Sequence, residues 1–360
     1  VVASGTSVLV ARCVSRADEL VPEEERKGEP VDWPLIGQAA LGLPGRLLVK
    51  SLWVTALFLK TVFCLVLNGT NLKILFPQVS SRILIGICGI AVFGTLYVPK
   101  RFLEYFSFMG IAVVVLIAAA VLTSGLELPE RPEASEYQLF DPSPLVSIVT
   151  TALFCFVVHS AVPSVYSAMT TEAKPAFGKV SAASFSLAFL VYASVGVAGY
   201  YFFAGSTQEN VAKNIGLDLD MKPIPGMGFL RIVLAALLVA KTQVTFPLFC
   251  LPLLGAVEAA LPLKGLAASS SGLLLKVSVL LFTTLPAICL ASQMQALVSI
   301  TGAICSTSMA VVFPAAFYAL LFRDQLEAWR LALLGLLFAG GVYIQVMGTW
   351  KAIQGIIEGA

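Results

Sequence analysis

The feature that most constrains this chain is a set of long runs with no formal charge. No Asp, Glu, Lys or Arg occurs from Pro142 to Thr171, from Val180 to Gln208, or from Val277 to Phe322. A helix crosses a bilayer in about 20 apolar residues, so the last run alone holds two crossings. Only 12% of the chain is charged and 58% is hydrophobic. Soluble domains carry about 25% charged residues. The runs do not alternate over about 10 residues, as barrel strands do. The reading is an all-α polytopic membrane protein.

Ten spans are predicted: 1–14 (partial), 47–68, 83–99, 103–124, 145–170, 180–204, 229–254, 272–291, 296–322 and 331–350. The chain starts at Val1, inside an apolar stretch too short to span, and reads as a fragment that begins within a helix. Connections 15–46, 125–144 and 205–228 hold the polar and turn residues. Placing the first loop in the cytoplasm puts fourteen of the 23 Lys and Arg on inside loops and flanks, and seven outside. That excess obeys the positive-inside rule. Lys60 and Lys241 fall within spans. Asn68-Gly69-Thr70 is a glycosylation sequon on the outer side, tight against the membrane.

Several function classes fall away. No basic patch interleaved with aromatics marks a nucleic-acid surface. The seven cysteines lie in apolar segments without metal spacing and read as small hydrophobes. An intramembrane enzyme needs paired acids, a Ser/His dyad or a metal cluster. The single histidine, His159, has no carboxylate near it in sequence. No cofactor is expected.

Polar groups and helix breakers at membrane depth mark pathways and cavities. In FCFVVHSAVPSVYSAM, Phe154 to Met169, Pro163 removes a backbone donor and crowds the carbonyl of His159. That carbonyl is expected to be freed. Ser160, Ala161 and Ser164 are small enough for a substrate to reach the backbone. Imidazole changes charge near neutral pH. The alternative is a packing kink with His159 bonded to a neighbouring helix. In VAKTQVTFPLF, Val239 to Phe249, Lys241 lies mid-span and Thr242 and Thr245 share a helical face. A cavity position and an interface position are both open to Lys241. Lys60 is nearer a span end and is expected to snorkel. The Ser-, Thr- and Gly-rich stretch Gln293 to Pro314 reads as tight helix packing.

Five stretches resemble the amino acid/auxin permease family, in order along the chain. They are DWPLIGQAALGLPGRLL, FCFVVHSAVPSVYSAM, GYYFFAGSTQENVAKNI, LVSITGAICSTSMAVVFPAAFYAL and GTWKAIQGIIE. The resemblance implies the LeuT-like inverted-repeat fold of the amino acid/polyamine/cation superfamily. Residues 1–360 would form one transporter domain, helices two to eleven, lacking the first helix. It further implies a secondary transporter of amino acids, working by alternating access around a break at 159–163. The substrate is expected at Phe156, His159, Ser160, Ala161, Val162 and Pro163. Ion coupling is expected at His159, Lys241, Thr242 and Thr245, with Lys241, like Lys60, a departure from the family's signature residues. A fixed cation repels sodium, which favours the proton as coupling ion. The expected partners are an amino acid, a proton and the bilayer, in the plasma or a vacuolar membrane. The alternatives are a transporter-like sensor without net flux and a non-functional fragment.

Overall fold

A computed structural model describes residues 1–26, 31–97, 100–138, 140–156, 158–208, 210–260 and 270–358. The helices are α1 (Val2–Leu20), α2 (Glu23–Arg26), α3 (Trp33–Leu75), α4 (Ser81–Thr95), α5 (Lys100–Leu126), α6 (Leu145–Cys155), α7 (Val162–Ala168), α8 (Phe177–Phe203), α9 (Gly228–Ala260), α10 (Ser270–Cys289), α11 (Met294–Ile300), α12 (Phe313–Leu321) and α13 (Ala328–Glu358). Two π-helical stretches, Thr301–Ser306 and Ser308–Val312, link α11 to α12 without a loop. Seven helical segments among the described residues are long and apolar enough to cross a membrane. Ser81–Thr95 and Gly110–Leu126 are shorter apolar helices. The expected loop carrying Lys264 lies outside the described residues, as does the end of the span drawn at 83–99.

Backbone contacts divide the chain into two compact units with interleaved sequence. The first holds Val1–Ala56, Pro142–Phe189 and Ala296–Ala360, and the second Leu57–Asp141 and Leu190–Gln295. In the first, α1 lies against α7 and α12, and α13 lies against α6 and α12. Its core includes Val10, Val14, Trp33, Ile36, Phe313 and Phe317. Burial of side chains of this size stabilises by about 1.5–3 kcal/mol each. In the second, α4 lies against α9 and α10, and α5 against α9. Val121, Phe203, Ile215 and Leu234 are part of its core.

Two of the following local findings differ from the sequence expectation, those at the start of α3 and at Lys60, and two add to it. Helix α3 starts at Trp33, well before residue 47, because Gly42 bends the chain at φ 68° and lets Trp33–Leu41 fold back. That conformation costs little only for glycine. Lys60 does not snorkel: it is 9% exposed, with Nζ 5.4 Å from the centroid of the Phe249 ring. Asn68 of the sequon is fully buried within α3. The 205–228 connection is ordered around buried Asn214, whose amide donates to Ser206 O and accepts from Gln208 N–H, and Gly216 N–H donates to Ser124 Oγ.

Candidate functional site

The span predicted at 145–170 is broken. Helix α6 ends at Cys155, and the Phe156 N–H closes it on Ala152 O. A 3₁₀ turn, His159–Ala161, follows, and α7 resumes at Val162. Pro163 falls in the first turn of α7, where the missing N–H has no intrahelical partner to lose. The break therefore precedes the proline, and the proline starts a new helix after it.

The His159 carbonyl leaves the α-helical ladder, as expected, but it is not bare. It accepts the Trp33 indole N–H at 2.8 Å and the Val162 N–H of the 3₁₀ turn. A buried carbonyl left unpaired costs about 1–3 kcal/mol, and these two donors remove that cost. Trp33 is 2% exposed and its ring lies 6.2 Å from that of Phe313.

The His159 side chain is fully buried. Its Nε2 lies 2.9 Å from Ala3 O and 2.9 Å from Thr6 Oγ1, both on α1. A carbonyl only accepts, so Nε2 carries the proton. Thr6 Oγ1 in turn donates within its own helix, toward Val2 O and Ala3 O. The other nitrogen, Nδ1, is buried and has no hydrogen-bond partner among the described residues. In this tautomer Nδ1 holds a lone pair, so the site contains one unsatisfied base. The Phe185 ring lies 5.7 Å away, and Phe156 lies 6.4 Å from Phe185. Next to Thr6 in sequence, Ser7 Oγ shares a hydrogen bond of 2.6 Å with Ser181 Oγ.

The break is braced from the π-helical stretch. A methyl group on Gly302 would stand 2.1 Å from Thr150 O, so the two backbones touch at that point. Gly348 of α13 closes on the Thr150 methyl in the same way. The reading of Gln293 to Pro314 as close packing agrees with this contact. π-Helical turns recur at functional sites.

Phe156, His159, Ser160, Ala161, Val162 and Pro163 are brought together in the break. His159, Val162 and Pro163 are buried, Phe156 and Ser160 half-buried, and Ala161 exposed. Lys241, Thr242 and Thr245 lie on α9 in the second unit. Thr242 Oγ1 donates to Leu238 O at 2.8 Å, and Thr245 Oγ1 to Lys241 O at 2.9 Å. Their hydroxyl protons are thus bound to their own helix, and only oxygen lone pairs remain for a cation. Lys241 is half-buried beside Gly110. The sequence reading missed Ala3, Thr6, Trp33 and Phe185. A Thr-Ser pair in the apolar VVASGTSVLV and an indole at the head of WPLIG are the only signals it holds for them.

Long apolar helices, one of them broken around a buried histidine, define a multi-pass integral membrane protein. The chain belongs to the family described as transmembrane amino acid transporter protein, which matches residues 1–354. It is 25% identical over 342 residues to amino acid transporter AVT1B of Arabidopsis thaliana, covering 91% of this chain and 60% of that protein. It is 24% identical over 341 residues to amino acid transporter AVT1J, covering 90% and 77%. With amino acid transporter AVT1C it shares 26% over 339 residues, covering 91% and 59%. The chain thus spans about 60% of the length of two of these three relatives. The family is one of transporters, not of enzymes.

Proposed function

We propose that residues 1–360 belong to one transporter domain of a secondary transporter that carries amino acids by alternating access. The LeuT-like inverted-repeat fold accounts for the broken helix. The substrate lies at the break, against Phe156, His159, Ser160, Ala161, Val162 and Pro163. The observation that carries the reading is the buried Nδ1 of His159, a base with no partner among the described residues, inside a family of amino acid transporters. Nδ1 accepts from the substrate ammonium, or takes a proton directly. The 3₁₀ turn His159–Ala161 places further backbone polar groups outside an α-helical ladder at membrane depth. Trp33 and Val162 hold the His159 carbonyl, so recognition falls on the ring and on the neighbouring amides.

The proton is the coupling ion in this reading. A protonated His159 loses its acceptor at Nδ1, so proton and ammonium compete for one lone pair, which links their binding. Lys241, with the Thr242 and Thr245 oxygens, is the second candidate for coupling, and its fixed charge disfavours sodium.

The test is uptake of labelled amino acids by the complete gene product in proteoliposomes. It compares a pH gradient with a sodium gradient, in wild type, His159→Ala and Lys241→Met. Uptake driven by the pH gradient and lost in His159→Ala supports the site. Uptake that survives His159→Ala and fails in Lys241→Met moves coupling to α9. No uptake of any amino acid under either gradient overturns the reading.

A further inference from the structure

We propose that the groove between α1 and the start of α13 holds an acyl chain of an anionic phospholipid, with the headgroup phosphate at Arg12 and Arg330. The groove is a cavity of about 470 Å³ within the first unit. Small-molecule sites occupy roughly 300–1,000 Å³, so the space is sufficient for one chain but not for a whole lipid.

The lining changes character along its length. At one end stand Arg12, Tyr318, Trp329 and Arg330. The rest of the lining is mostly aliphatic and includes Leu9 on α1 and Leu333 and Leu337 on α13. From Arg12 to Val2, α1 rises about 15 Å at 1.5 Å per residue, and from Trp329 to Leu337, α13 rises about 12 Å. A single leaflet is half of the roughly 30 Å hydrocarbon core. The groove is therefore one leaflet deep, apolar along the tail and polar at the head.

The charged end is built to take an anion. Arg12 Nη1 donates to Tyr318 Oη at 3.0 Å, which places its guanidinium at the mouth. The Arg330 guanidinium lies 5.2 Å from the Trp329 ring centroid, and its Nε is 3.5 Å from Glu327 Oε2. Each guanidinium has five N–H donors, so both keep donors for a phosphate. Trp329 is 61% exposed, and tryptophan is enriched at the headgroup level. The alternation that obeys the positive-inside rule places Arg12, Arg323 and Arg330 on the cytoplasmic side, where the leaflet is anionic. A zwitterionic lipid would satisfy the walls equally well. Both lipids offer a phosphate, but only the anionic headgroup carries net negative charge, and two guanidiniums favour it over one balanced by its own cation.

The experiment uses the complete gene product in nanodiscs. They carry a phosphatidylserine analogue with a photoactivatable group on its acyl chain, or the matching phosphatidylcholine analogue. Peptide mapping is expected to place the label on residues 2–12 and 329–337, with phosphatidylserine strongly preferred. Arg12→Gln with Arg330→Gln should lower phosphatidylserine labelling on the order of tenfold, to the phosphatidylcholine level. Leu333→Trp, which fills the groove, should remove labelling by both. Equal labelling by the two lipids in wild type overturns the proposal. So does label confined to other helices, or a protein segment that keeps both lipids out. The wild-type map decides even if a variant does not fold, and none of these readouts depends on transport.

Discussion

Trp33 and His159 are 126 residues apart, and one hydrogen bond joins them. Its geometry makes a narrow prediction. Trp33→Phe keeps a buried ring and deletes the donor, leaving the carbonyl with Val162 N–H alone. The expected loss is about 1 kcal/mol, read as a lowered thermal midpoint in detergent, whereas Trp33→Ala should cost about 3–5 kcal/mol through the lost volume. An unchanged midpoint in Trp33→Phe would mean that the bond adds nothing. Thr6→Val tests the other side of the ring. It leaves Ala3 O as the sole partner of Nε2 and should cost about 1 kcal/mol, restored by Thr6→Ser. The histidine itself is legible in the sequence, being the only one and lying in a charge-free run. Its partners are not legible, because Ala3 O is a backbone atom and Thr6 looks like any small helix residue. Nor does composition reveal that the expected open carbonyl is already taken.

Elements in this protein meet by backbone contact where glycine permits it. Gly302 meets Thr150 O, whereas a methyl group on Gly335 would meet nothing within 4 Å. Gly302→Ala is therefore expected to cost about 3 kcal/mol or to prevent accumulation of the protein, because the atom in the way is backbone. Gly335→Ala should be neutral or stabilising by up to about 1 kcal/mol, from helix propensity alone. Thermal midpoints of the pair check both. Helix α3 carries a further expectation. Asn68 is enclosed, so the protein made in glycosylating cells should show no mobility change on enzymatic deglycosylation. A change would place this residue outside the helix core during maturation. The seven segments long and apolar enough to cross a membrane are legible as apolar runs. The extension of α3 to Trp33 is not, because Gly42 and Pro44 read as a loop until the fold-back is seen.

At the scale of the molecule, the interleaved units predict how the chain tolerates being cut. The first unit takes residues from both sides of 141, and so does the second. Residues 1–141 and 142–360 produced separately should each be degraded. Produced together they should co-purify, since each supplies strips of both cores. Accumulation of either fragment alone would show that a core can form from one side. Nothing in the sequence announces this division. Hydropathy marks which segments enter a membrane, but the partners of a span depend on faces that are apolar all round. The 205–228 connection is similarly opaque: its turn residues are plain, and the Asn214 amide that orders them is not.

Of the four tryptophans, Trp33 is 2% exposed, while Trp329 and Trp350 are 61% and 59% exposed. A chain left with Trp33 alone would carry a fluorophore whose nitrogen is tethered to the break itself. Its emission would then follow the carbonyl: steady while α6 and α7 hold their present angle, and altered whenever the turn between them rearranges. The molecule thus contains its own optical gauge, readable in real time without an attached dye.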